Sequence, residues 1–353
     1  TATFTPSVST TDTASISVAT GAYSDSAGND GTGDNTTISV DTLVPTVTLT
    51  AASSALKSGE TTVVTLTFNK TPVGFNDSDI AISAGSLSTL ANVGGDTYTA
   101  TYTPPTATTV TATLSIANGS FSDGAGNNGV GDSLDISVDA TPPTLVITSD
   151  AATVLSGETA VVTFTFTEAP TGFDTSDVSV TNGSLSALTV DSSDNAKYTA
   201  TFTPTAGTAG AASITVASGS YTDGAGNSGG AGNLSLTVDT TAPSLIITSA
   251  ASDLASGDTT LVTFTFSESP IGFADADISV SGGSLSSVTV DGSNAKVYTA
   301  TFTPDTGTAG SGSVSVASGS YTDTLGNAGG AGSLSLTLDT EAPTLAITSG
   351  ASA

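Results

Sequence analysis

A proline recurs at Pro45, Pro143, Pro243 and Pro343, spaced by 98, 100 and 100 residues, and a whole phrase of sequence recurs with it. VDATPPTLVITS (Val138–Ser149) returns as VDTTAPSLIITS (Val238–Ser249) and LDTEAPTLAITS (Leu338–Ser349), with an earlier version around Asp41–Pro45. A second phrase keeps the same step: YSDSAGN (Tyr23–Asn29), FSDGAGN (Phe121–Asn127), YTDGAGN (Tyr221–Asn227) and YTDTLGN (Tyr321–Asn327). Self-similarity at a fixed period constrains the architecture before any single element is read. Three full repeats span roughly 43–140, 141–240 and 241–340. Residues 1–42 read as the C-terminal half of another repeat, and 341–353 as the start of a further one.

Inside each repeat the apolar residues keep a period of two. Val162, Phe164 and Phe166 alternate with Thr163, Thr165 and Thr167; Tyr198, Ala200 and Phe202 alternate with threonines; Leu234, Leu236 and Val238 alternate with polar residues. That is the pattern of antiparallel strands with one buried and one wet face. Threonine on the wet face adds strand propensity without exposing apolar surface. Helical patterns are missing throughout. In the second repeat the strand candidates, A to G, are Thr144–Thr148, Thr159–Thr167, Val178–Thr181, Ser184–Val190, Lys197–Thr203, Ala211–Ala217 and Asn233–Val238. Seven short strands in about 100 residues, split by Gly, Asp, Asn and Pro turns, predict an immunoglobulin-like β-sandwich; solenoid units are shorter, at roughly 20–45 residues. The expected fold is all-β: tandem seven-stranded antiparallel sandwiches. The short, proline-stiffened Asp-Thr/Ala-x-x-Pro junctions predict neighbours placed end to end.

Composition removes several functions. Thirty-two acidic residues against four lysines give a formal net charge of −28, which repels phosphate backbones, so nucleic acid is not an expected partner. With no histidine and no cysteine, Ser-His-Asp and Cys-His catalysis, thiolate zinc sites and disulfides are excluded. No apolar run approaches the roughly 20 residues of a membrane helix, so this segment is not expected to insert into a membrane. Methionine is absent even at position 1, which reads as mature or excised material. Residues 1–42 hold about three strand candidates, marginal alone, and their missing partners are expected from continuing chain or another subunit.

SGET (Ser156–Thr159), FTFTEAPTGFDTSDVSV (Phe164–Val180), YTATFTP (Tyr198–Pro204), YTDGAGN and VDTTAP, in this order over essentially the whole chain, resemble the tandem bacterial Ig-like domains of giant secreted adhesins, of the RTX type found in biofilms. The resemblance implies an extracellular, cell-surface stalk of stacked sandwiches, stiffened by Ca2+ at the junctions.

The strand order gives a separate reason to suspect metal. If strands A to G alternate in direction, the B–C, D–E and F–G loops lie at the N-terminal pole of a domain and the A–B loop at the opposite pole. At the junction entering the second repeat this gathers Asp139 from the linker, Glu168, Asp174 and Asp177 from the B–C loop, Asp223 and Asn227 from the F–G loop, and Glu60 from the preceding A–B loop. The next junction repeats the set with Glu158, Asp239, Glu268, Asp277, Asp323 and Asn327, and Asp339 marks the linker after it. Around the first linker Asp41, Asp77, Asp79, Asp123 and Asn127 remain, but Lys70 stands where Glu168 and Glu268 stand later. Clustered hard oxygens with few cations suit calcium, whereas zinc would want the nitrogen and sulfur ligands missing here. No EF-hand loop or glycine-rich calcium nonapeptide is present. The competing reading is that Asp and Asn beside Gly are turn formers, and that the net charge solubilises a long extracellular polymer.

No enzyme is expected. Asp174 and Asp177 could pair for glycoside hydrolysis, but they lie on a short loop with little aromatic lining, and the four lysines sit in or beside polar loop segments. Tyr98, Tyr198 and Tyr298 fall at strand periodicity, as core residues do. The expected function is mechanical: an extender holding a distal domain away from the cell. Its partners would be neighbouring repeats or identical subunits, with surface glycans reached only through domains outside this segment. The alternatives are a repeat subunit of a homopolymeric fibre or surface layer, and a glycan- or ice-binding sandwich with a threonine-rich face.

Overall fold

The computed structural model describes residues 1–348 and Gly350; Ser349 and residues 351–353 lie outside the described residues. The strand expected in 341–353 is not formed over 341–348 and otherwise falls outside them. The chain divides into two compact units. The first holds Thr1–Pro143, Pro170–Gly172 and Tyr221–Gly230; the second holds Thr144–Ala169, Phe173–Ser220 and the chain from Ala231 onward.

In the first unit, β1 (Thr11–Val18) and β2 (Asp34–Asp41) form a two-stranded antiparallel ribbon, in register from Thr11↔Asp41 to Val18↔Asp34. Two strands form in 1–42 where about three were expected, and Ile16, Val18 and Ile38 stay 42%, 49% and 37% exposed. The next repeat runs β3 (Val47–Ala51), β4 (Ala55–Lys57), β5 (Thr62–Phe68), a 3-10 turn at Asp77–Asp79, β6 (Ile80–Ile82), β7 (Ser86–Leu87), β8 (Ala91–Gly94), β9 (Thr97–Thr103), β10 (Thr109–Ile116) and β11 (Ser133–Asp139). One sheet is ordered β3-β5-β9-β7, with β8 also on β9; the other is β4-β11-β10-β6. Every pairing is antiparallel except β4 on β11.

The alternation read from the sequence builds this core. Thr62, Val64, Leu66 and Phe68 of β5 are buried while Val63 and Thr67 face out. The buried set meets Tyr102, Leu114, Ile136 and Val138. Tyr102 donates its hydroxyl to the Ala84 carbonyl at 3.0 Å, so a buried polar tip is satisfied. Phe121 opens the F–G loop and packs edge-on to Phe68 at 5.0 Å. Gly129 covers the Phe121 ring so closely that an added Cβ would lie 2.3 Å from it, hence the glycine.

The second unit repeats this logic. In the third repeat, Leu245–Ser249, Thr260–Phe266, Asn294–Pro304 and Gly283–Leu285 form one sheet. Asp253–Ala255, Gly332–Asp339, Ala309–Val316 and Ile278–Ser281 form the other. Phe264, Phe302, Val262 and Val314 are fully buried between them, and Tyr321 is edge-on to Phe266 at 4.9 Å.

The sandwich has more strands than the seven expected. Ser184–Val190 resolves into Gly183–Leu185 and Thr189–Asp191. The break is local: the Thr201 N–H bonds the Ser186 Oγ at 2.9 Å, and the register slips between Val190 and Asp191. Thr153–Leu155 is an additional strand, parallel to Thr237–Asp239. Three residues are too short to show alternation.

Candidate metal centre

The F–G loop is anchored before it turns. Tyr321 is buried, Thr322 forms a bridge with Ile271, and the next residue, Asp323, therefore points inward at 2% exposure. The same bridge brings the Ser267–Pro270 segment, and with it Glu268, alongside. In the first full repeat the bridge is Val73↔Ser122, and it brings Lys70 beside Asp123.

Each loop closes through its own Asp and Asn. Asp323 Oδ1 accepts the N–H groups of Leu325 at 2.8 Å and Asn327 at 2.9 Å, while Asn327 Nδ2 donates to Asp323 Oδ2 at 2.8 Å. Asp223–Asn227 and Asp123–Asn127 do the same. This is the turn-forming role. Burial opposes ionisation of Asp323, but the Asn327 side chain and the loop N–H groups outweigh it and hold the carboxyl below its ordinary value of 3.8. The carboxylate stays charged inside the protein.

The asparagine also reaches out of its loop. Asn227 Nδ2 donates to the Asp139 carbonyl at 2.9 Å, and Asn227 Oδ1 accepts the Ser58 N–H from the β4–β5 turn of the preceding repeat at 2.8 Å. Lys57 Nζ donates to the Gly226 carbonyl at 3.2 Å beside it. In the second unit Asn327 Oδ1 accepts the Ser156 N–H at 3.0 Å. These inter-repeat contacts were missed by sequence reasoning, because one partner in each is a backbone group that no residue type announces.

Around these loops the acids gather. Near Asp323, Glu268 has its carboxyl raised above the ordinary 4.5, first by burial and then by the charges of Asp323 and Asp239. Lys296, which donates to the Ser267 carbonyl at 2.8 Å, offsets this only in part. The first linker is built differently. Lys70 Nζ donates to Asp41 Oδ1 at 2.6 Å, to Asp123 Oδ2 at 2.8 Å and to the Leu43 carbonyl at 2.5 Å. Both ion pairs found among the described residues are those of Lys70. Asp123 lies far below its ordinary value, held there first by Asn127 and then by Lys70. Burial disfavours the Lys70 charge, yet its bonds to Asp123 and Asp41 raise its pKa above 10.5.

The remaining candidate acids are engaged in their own turns. Asp174 caps the 3-10 turn Thr175–Asp177 through the Ser176 N–H at 2.7 Å, and Asp177 caps back onto the Asp174 N–H at 2.8 Å. Asp79 and Asp277 cap in the same way onto Asn76 and Ala274, and Asp77 accepts the Leu90 N–H at 3.1 Å. Glu60 and Glu158 accept the N–H groups of Lys57 at 3.2 Å and Leu155 at 3.0 Å across tight turns. Asp339 ends the last strand, exposed.

The description "Bacterial Ig-like domain" fits three consecutive stretches of this chain, residues 41–138, 139–238 and 239–340. The chain belongs to the bacterial Ig-like domain family. Its Ig-like repeats are similar to those of several solved structures. FdeC, an Escherichia coli adhesin, is 19% identical over 84% of this chain and 96% of that one, with a TM-score of 0.33. Invasin, a bacterial integrin-binding protein, is 16% identical over 81% of this chain and 59% of that one, at 0.35. InvD of Yersinia pseudotuberculosis is 21% identical over 80% and 71%, at 0.31. Among curated proteins, none matches the chain by sequence. No helix among the described residues is long and apolar enough to cross a membrane.

Proposed function

We propose that these Ig-like repeats are an extender segment of a bacterial cell-surface adhesin, and that calcium ions stiffen the joints between successive repeats. The observation that carries the metal reading is the crowding of like charge around Glu268, whose carboxyl is pushed up by burial and by Asp323 and Asp239. A divalent cation would relieve that repulsion, and carboxylate and carbonyl oxygens are the donors calcium prefers. In the third repeat Asp239, Glu268 and Asp323 would hold the ion. The ion supplies charge neutralisation and a bridge from linker to loops. The protein supplies the preformed turn: Asn327 and Asn227 orient the buried aspartates and hold the preceding repeat by its backbone. Nothing in this arrangement needs a substrate.

Calorimetric titration of the whole chain with calcium tests this. Saturable binding is expected, with loss of a site in Glu268→Gln. Absence of binding at millimolar calcium, or binding unchanged in Glu268→Gln, would overturn the metal reading and leave a proline-stiffened extender.

A further inference from the structure

We infer that Lys70 is a built-in cation that takes the place of the metal ion at the first linker, making that joint independent of calcium while the later joints depend on it. The inference rests on the calcium reading of the later joints, but its own basis is the geometry at Lys70. The repeats supply an internal comparison: Asp41, Asp139 and Asp239 are equivalent linker acids, as are Asp123, Asp223 and Asp323 of the loops. At the position where the later repeats add a third carboxylate, the first full repeat adds an ammonium group. That group lies between the same two acids, 2.6 Å from Asp41 Oδ1 and 2.8 Å from Asp123 Oδ2, and takes the Leu43 carbonyl as a third acceptor.

Three donors on one ammonium meet three oxygens drawn from the linker and the loop. The linkage a divalent ion would make between Asp41 and Asp123 is therefore already made by the hydrogen bonds of an ammonium group that belongs to the B–C loop. The Lys70 side chain is only 17% exposed and Asp123 only 3%, so the contact is shielded from solvent, where surface ion pairs are weak. Adding calcium here would place it against a fixed positive charge. The identity of this one residue, Lys or Glu, thus sets whether a joint answers to calcium, and a stalk of mixed repeats would carry permanent and calcium-gated joints in a defined order.

The chain has no cysteine, so paired cysteines can carry spin labels at will. Ser39 and Thr67 report the first joint, and their repeat equivalents Thr237 and Thr265 report the last; all four are exposed. Pulsed dipolar measurements on the full chain should give a narrow 39/67 distance distribution in both calcium and chelator. The 237/265 distribution should be narrow only in calcium. Lys70→Glu should lose the narrow 39/67 peak in chelator and regain it in calcium, and Lys70→Ala should lose it in both. A wild-type 39/67 peak that broadens on chelation, or one that stays narrow in Lys70→Ala, would overturn the lysine assignment. If the 237/265 pair ignores calcium, the calcium reading of the later joints fails, while the Lys70→Ala result still decides the role of the lysine. Circular dichroism melting of each variant separates a loosened joint from an unfolded repeat.

Discussion

Asn327 Oδ1 accepts the backbone N–H of Ser156 at 3.0 Å, a bond between residues 171 positions apart. The same asparagine donates to Asp323 Oδ2 at 2.8 Å. One side chain therefore shapes the loop that presents a buried carboxylate and fastens that loop to the repeat before it.

Asn327→Ala should free the Ser156 amide without touching the sandwich cores, since neither residue belongs to the apolar cluster of the third repeat. Hydrogen exchange at Ser156 should accelerate strongly while amides of Thr260–Phe266 keep their protection. Equal acceleration at both would mean that the asparagine supports the domain itself.

The cores should fold without metal, because their stability comes from burial. Phe264 is fully buried, and Phe264→Ala should cost about 3–5 kcal/mol in denaturant unfolding. The outward-facing neighbour Thr265→Ala should stay within about 0.5 kcal/mol. Both costs should be the same in calcium and in chelator.

The first and last joints should differ in their response to pH in chelator. Glu268 has a raised pKa in the folded state, so the folded state binds more protons there than the unfolded chain. Its charge then lowers stability as pH rises above 4.5. At the first joint Lys70 is raised, so its contribution is complete below 10.5 and is lost only as pH climbs beyond it. Asp123 is depressed, so its contribution is present above 3.8 and is lost as pH falls below it. Between these limits the 39/67 distance should be constant while the 237/265 distance widens with rising pH. Glu268→Gln should abolish the second trend.

Much of this was legible in the sequence for physical reasons. The alternation of Val162, Phe164 and Phe166 with threonine can only serve a half-buried strand, and the recurrent loop phrase fixed Asp123, Asp223 and Asp323 as equivalents. The replacement of Glu by Lys70 was visible too, but only side-chain geometry shows the ammonium grasping both acids. What was hidden acts through backbone: the Ser58 and Ser156 N–H groups, the Leu43 carbonyl and the three-residue strand Thr153–Leu155. Asp174 and Asp177 illustrate an ambiguity of spacing, since Asp-x-x-Asp suits a metal loop and a capped 3-10 turn equally. The structure engages both in the cap.

Small-angle scattering of the whole chain in calcium and in excess chelator tests the central claim most directly. If calcium locks the later joints, the maximum dimension should grow and the melting temperature rise on adding calcium, because an ion that binds only the fixed state shifts the population toward it. Identical scattering profiles and melting temperatures in the two conditions would contradict calcium stiffening and leave the proline linkers and the asparagine contacts as what restrains the joints.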